Sequence, residues 1–318
     1  MPTIRGCAVS TSLLRQWAAL LVTENAPFFI SDALYEQLSA DHDVRTRAEF
    51  ATLGFSLSFV DSYRTYAVSP TAPWVVRLSP SAFDGLSPAT QTVLINEQSH
   101  FGRGQVYASR EVQSFVATLR DPAAVASRQS TTANGTVLLL DTNIWAQLAP
   151  AVREQWLVQF VTQQEPTYPT IRADAVPWAH FAERDLTWIR TVGNTFTATS
   201  GPNCFATTLA AISPRKVAAT VGTTWLWQAP FLHGIAACGY TKRLDDAPTR
   251  CAELNDAVLV WWDQHQVAHH ACYLLGAGVA LNKNGQAWYD ARELAAVDAV
   301  LAEWADEPLT VAAYIREQ

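Results

Sequence analysis

The stretch "HHACYLLGAGVALNKNG", residues 269 to 285, holds two adjacent histidines, an apolar run, a Gly-Ala-Gly turn, a second apolar run and a polar Asn-Lys-Asn. Apolar runs on both sides of a glycine-rich turn predict a β-hairpin. Side chains alternate along a strand, so His270, Cys272 and Leu274 share one face of the first arm. Across an antiparallel turn, opposed residues have positions of constant sum. A three-residue loop over Gly276, Ala277 and Gly278 makes that sum even; it sets Asn282 and Asn284 on the face of His270 and turns His269 away. A two-residue loop or a bulge would reverse the parity and exchange the two histidines. With even parity, one arm carries an imidazole and the next carries an amide that fixes its tautomer without adding charge.

Upstream lies "TSGPNCFATTLAAI", residues 199 to 212. Gly201 and Pro202 break the preceding structure, and Phe205, Leu209 and Ile212 then recur at helical spacing. Cys204 is therefore expected at the first turn of a helix. Unpaired N–H groups and positive potential there favour a thiolate, which is the nucleophilic form. The other cysteines, Cys7, Cys238, Cys251 and Cys272, lack this setting and show no zinc-type pairing.

A cysteine at a helix start, a histidine on a strand and a polar residue on the next strand together resemble the papain-like cysteine peptidase superfamily. The NlpC-type cell-wall endopeptidases and amidases are the more similar branch. Their histidine segment reads roughly H-x-x-x-Y-L-G-x-G with the third residue twelve positions on; "HACYLLGAGVALN" runs from His270 to Asn282. "NDAVLVWW" resembles the Gly-Asp strand that precedes it, with Asp256 at the aspartate, and "GPNCFATTL" resembles the nucleophile segment. The family's Asp-Cys-Ser-Gly is replaced here by Asn203-Cys204-Phe205-Ala206, and Phe196 stands nearest to its upstream tyrosine. The resemblance covers roughly residues 175 to 290. It implies a thiol-dependent peptidase or amidase with the triad Cys204, His270 and Asn282. The backbone N–H of Cys204 is expected at the oxyanion, supported by Asn203 or Thr199, and the implied substrate is a peptide-type amide such as a cell-wall peptide.

Elsewhere the chain is less explicit. At 318 residues, with 16% charged and 11% aromatic residues, it is long and apolar enough to fold as two domains. A net charge of −7 with no basic run argues against a nucleic-acid partner. The N-terminal apolar stretch "WAALLV" is too short for a signal core or a membrane span, so no membrane partner is expected, and a cytoplasmic chain unless a leader has been removed. "HQVAHH" sets His265 and His269 four apart, but it lacks the Glu of a zinc helix and a third ligand, so no metal and no cofactor are expected.

The first half carries a weak internal repeat: "FFISDALYEQLSA" (28–40), "VRLSPSAFDGLSP" (76–88) and "LLLDTNIWAQLAP" (138–150) align without gaps. Each predicts a strand, an N-cap (Ser31, Ser79, Asp141) and a helix. Three such strand–turn–helix units packing their strands into one sheet would make an α/β N-terminal domain. "DPAAVASRQSTTANGT" (121–136) is expected as a loop within it, and the proline-rich "QQEPTYPTIRADAVP" (163–177) as the domain boundary. Residues 178–193 and 290–307 are expected as helices, and 255–264 and 308–316 as strands.

The expected architecture is thus α+β. Residues 1–165 form an N-terminal domain of unknown role that could hold a protein partner, and 166–318 form a papain-like domain whose antiparallel sheet meets a helix-borne cysteine. Two further functions fit the same residues: a catalytically inactive papain-like scaffold serving binding or regulation, and a thiol acyltransferase.

Overall fold

The computed structural model describes residues 2–119, 121–164, 168–244, 251 and 253–316. The fold is mixed α+β with antiparallel sheets. The chain packs as two compact units: Ser12–Gln159 forms one, and Met1–Thr11 together with Phe160–Gln318 forms the other. The boundary expected at 165/166 lies outside the described residues. The first eleven residues were expected in the N-terminal domain; they instead group with the C-terminal unit.

In the unit Ser12–Gln159 the repeat is correct locally and wrong globally. Strands Ala26–Ile30, Trp74–Leu78 and Gly135–Leu139 each precede a short helix, Asp32–Leu38, Pro80–Asp84 and Thr142–Gln147. The Ser79 and Asp141 side chains cap theirs through the N–H groups of Ala82 and Ile144, whereas Ser31 hydrogen bonds to Glu97 instead. The first two strands pair antiparallel in one three-stranded sheet, and the third strand belongs to another. One reason is that residues 121–136 are not a loop. They form a helix, Pro122–Ala126, and a strand, Gln129–Thr132, that pairs with the third repeat strand through a tight turn. Arg128 links the second and third units: it holds Asp141 and Asp84 at 2.6 Å each and lies over the ring of Phe83.

The other unit is built on a six-stranded antiparallel sheet. Its strands, numbered here in chain order, are β1 Tyr240–Leu244, β2 Ala257–Trp262, β3 Ala268–Gly276, β4 Val279–Asn282, β5 Glu293–Ala296 and β6 Thr310–Arg316. Their spatial order is β5-β4-β3-β2-β6-β1. Both faces of the central strands are buried, which explains their near-continuous apolar runs. Val258, Val260, Ala271, Tyr273 and Leu281 pack on one side with helix α1, Cys204–Ile212. Leu259, Trp261, Cys272, Leu274 and Ala280 pack on the other with helix α2, Val297–Glu303.

Two expected helices are altered. Residues 178–193 break into a 3-10 turn, Trp178–Phe181, and a helix, Thr187–Val192. Residues 290–307 begin as strand β5 before α2, because Asn282 to Val279 of β4 offer a free edge that pairs Glu293 to Ala296. Tertiary pairing here overrides the helix propensity of Glu-Leu-Ala-Ala.

Candidate active site

The hairpin sets the imidazole. The β3–β4 turn has two central residues, Ala277 and Gly278, both with positive φ (50° and 73°), between the paired Gly276 and Val279. That length gives an odd sum, but a register shift between Leu274 and Gly276 returns the rest of the ladder to an even one: Leu274 opposes Ala280 and Tyr273 opposes Leu281. The two departures cancel, and Asn282 faces His270. A second bulge, on β3 opposite Trp261 and Trp262, separates the two histidines. His269 is the extra residue there; it is exposed and bonds Asp263 at 3.0 Å, while His270 pairs with Trp261 and points inward.

His270 is fully enclosed. The Oδ1 of Asn282 accepts from its Nε2 at 2.8 Å. An amide oxygen only accepts, so Nε2 carries the proton and Nδ1 keeps the lone pair. Nδ1 is buried and has no hydrogen-bond partner among the described residues. The Nδ2 of Asn282 donates to Tyr168 Oη and to Asn284 Oδ1, each at 2.7 Å, so the amide cannot rotate without losing both. Trp304, at the end of α2, stacks on the imidazole with centroids 4.5 Å apart and planes 17° apart, and Trp261 abuts it at 5.0 Å. Burial pulls the ring down to about 4, against the pull of the Asn282 bond, so it is neutral at physiological pH.

Cys204 opens α1 as expected, and Asn203 is its N-cap. Cys204 is 6% exposed. Backbone N–H groups of Ala271 and Phe205 approach the sulfur and favour the thiolate, as does the charge of Lys283. Burial outweighs them and pushes the thiol up to about 11. The N–H groups at the helix start thus favour the thiolate, but desolvation is the larger effect in this enclosed place.

Alternation sends the His270 ring to the face opposite α1. A strand N–H lies in the plane of its sheet, so a sulfur at the N–H of Ala271 sits at sheet level, between the faces. This is also where the β3–β4 ladder stops, its last pair being Tyr273 and Leu281. The sulfur is therefore at sheet level and the ring on the face of α2. No hydrogen bond joins them in this structure.

The two expected supports have these surroundings. The Oδ1 of Asn203 accepts from Ala206 N at 3.0 Å, and its Nδ2 donates to the carbonyl of Leu226 at 2.7 Å. Its donor is committed to holding the segment before the helix Gln228–Ala237. Thr199 is exposed on the bend before Gly201. Asp256, expected on the strand before the histidine, turns the chain into β2 with φ of 51° and accepts from Tyr273 at 2.7 Å.

Tyr168, Trp304 and Lys283 were not anticipated. Tyr168 and Trp304 reach the site through long-range packing that leaves no local pattern. Lys283 did leave a signal: it is a charge directly after Asn282, which closes an apolar run, so alternation would send it to the other face.

Among the described residues, no group of three His, Cys, Asp or Glu side chains could hold a metal ion, and no helix is long and apolar enough to cross a membrane. Comparison of the chain with protein-family models, curated proteins and solved structures returns no match.

Proposed function

We propose that this chain is a thiol-dependent hydrolase of peptide-type amides, with Cys204 as nucleophile, His270 as general base and Asn282 as the residue that orients the base. The observation that carries this is the imidazole itself: Asn282 fixes one nitrogen while the other is buried and has no hydrogen-bond partner among the described residues, one residue from the N–H at the Cys204 sulfur. A buried nitrogen left bare costs stability in a merely structural ring. A base that must receive a proton needs that nitrogen free.

In this scheme Nδ1 of His270 takes the thiol proton and the sulfur attacks the amide carbon. First-turn N–H groups of α1 face the developing oxyanion. The imidazolium then gives the proton to the leaving amine as the C–N bond breaks, which leaves a thioester on Cys204. Water attacks that thioester, Nδ1 takes its proton, and the acid and the free thiol are released. An amine acceptor in place of water would make the same centre an acyltransferase.

The test is alkylation by iodoacetamide with peptide mapping, together with turnover of a nitrophenyl ester. Cys204 should be modified faster than Cys7, Cys238, Cys251 and Cys272, and both its labelling and ester turnover should fall in His270→Ala. Equal, slow labelling of all five would remove the proposal.

A second function, an inactive scaffold that binds a partner, is supported by the enclosure of the site. Cys204, His270 and Asn282 are 6%, 0% and 1% exposed, and no hydrogen bond joins the thiol to the ring among the described residues. Its signature is an intact fold with neither selective labelling nor turnover.

A further inference from the structure

A neutral imidazole can carry its proton on either nitrogen, and an amide can turn its oxygen or its nitrogen to a neighbour. The contact between His270 and Asn282 therefore fits two polarities: Nε2–H to Oδ1, or Nδ2–H to a bare Nε2. Only the first leaves Nδ1 able to take a proton. Beyond the amide, Asn282 Nδ2 donates to Asn284 Oδ1 at 2.7 Å, and Asn284 Nδ2 donates to Glu303 Oε1 at 3.4 Å. The chain His270–Asn282–Asn284–Glu303 thus runs from the imidazole on β3, past the end of β4, to the last residue of α2. The ring and the two amides can each face either way, whereas a carboxylate only accepts. It turns the Nδ2 of Asn284 toward itself, which leaves Asn284 Oδ1 for Asn282. The Nδ2 of Asn282 must then face Asn284, its Oδ1 must face the ring, and Nε2 must bear the proton. The last bond is long, yet a full charge at 3.4 Å still decides which end of an amide dipole faces it.

We infer that Glu303 is a positioning residue for the base: through Asn284 and Asn282 its carboxylate fixes His270 as the Nε2–H tautomer and keeps Nδ1 bare for the thiol proton. The use of that bare nitrogen rests on the thiol-hydrolase reading; the polarity of the chain does not. In the reversed chain the proton would sit on Nδ1, which then has no lone pair to offer Cys204. The bond from Asn282 to Tyr168 Oη does not make the choice, because a phenol can donate as well as accept. Trp304, the residue after Glu303, stacks on the same imidazole, so the end of α2 holds the ring's face as well as its polarity.

The experiment is long-range proton–nitrogen correlation NMR of the full chain carrying isotope-labelled histidine, at neutral pH, where it reports which nitrogen of a neutral ring bears the proton. A His270→Gln spectrum identifies the His270 signals. The wild type should show the Nε2–H form alone. Glu303→Gln puts an amide that can face either way in place of the carboxylate. It should show both tautomers, with nitrophenyl ester turnover down about twofold or more. Asn284→Asp combined with Glu303→Gln moves the acceptor-only group one step nearer the ring, and should restore the single tautomer and the turnover. A merely structural part for Glu303 gives no reason for that rescue. An Nδ1–H ring in the wild type, a single Nε2–H tautomer in Glu303→Gln, or no rescue in the folded double variant overturns the inference. If near-UV circular dichroism shows Glu303→Gln unfolded, Asn284→Ala cuts the same chain, and a single Nε2–H tautomer there overturns it. Turnover separates the two claims. A Glu303-dependent tautomer without turnover retains the polarity and removes the hydrolase, whereas turnover with a tautomer indifferent to Glu303 does the reverse.

Discussion

The side chains of His270 and Asn282 depend on each other for their hydrogen bonds, since the amide oxygen is the only partner the ring has among the described residues. Asn282→Ala should therefore cost about 1–3 kcal/mol, because it strands Nε2 in a dry site, and ester turnover should fall with it; thermal melting and turnover check the two effects. Burial also gives the ring a pH signature. Its folded value near 4 lies below the unfolded 6.5, so the unfolded chain binds more protons between them. The stability it contributes is present above about 6.5 and lost as pH falls through 4, an effect on the order of 3 kcal/mol. His270→Gln should flatten the acid limb of a stability–pH curve from chemical denaturation. Glu293 acts in the opposite direction. Burial raises it to about 7 against the pull of Arg5, above its unfolded 4.5. Its contribution is present below 4.5 and lost as pH rises through 7, so Glu293→Gln should hold stability better than the wild type from pH 5 to 8.

At the level of elements, the β3–β4 hairpin and the start of α1 place the chemistry. Gly276 has φ of 113°, and a Cβ there would lie 1.9 Å from Asn255 Oδ1. Gly276→Ala should cost about 2 kcal/mol or more, measured by denaturant titration, because strain and overlap act together. These elements were legible because their signals are local: the alternation around Gly276 to Gly278, and Phe205, Leu209 and Ile212 after a Gly-Pro break. The bulges at His269 and beside Leu274 were not, since a bulge is set by the neighbouring strand's register rather than by its own residues. The same limit hid β5, whose Glu-Leu-Ala-Ala favours helix until β4 offers an edge. It also hid the commitment of the Asn203 amide to Leu226, a contact between segments that no spacing rule connects.

At the level of the whole chain, the N-terminal residues belong with the sheet near the other end. Arg5 donates to the carbonyls of Gln164 at 2.7 Å and Tyr289 at 3.2 Å, and stands 3.5 Å from the buried Glu293 carboxylate. Ile4, Cys7 and Val9 are buried. Arg5→Ala should cost about 3 kcal/mol, because it leaves a buried carboxyl without its cation; a melting curve monitored by tryptophan emission tests this. Nothing in "MPTIRGCAVS" announced these partners, which lie more than a hundred residues downstream. One consequence concerns synthesis. A ribosome adds about 5–20 residues per second, and domains tend to fold as they emerge. The unit Ser12–Gln159 leaves the tunnel entire while residues 2–11 still wait for β5. That strap must remain unsatisfied through the birth of the whole intervening unit, with its apolar side chains open to chaperones until the last strands arrive.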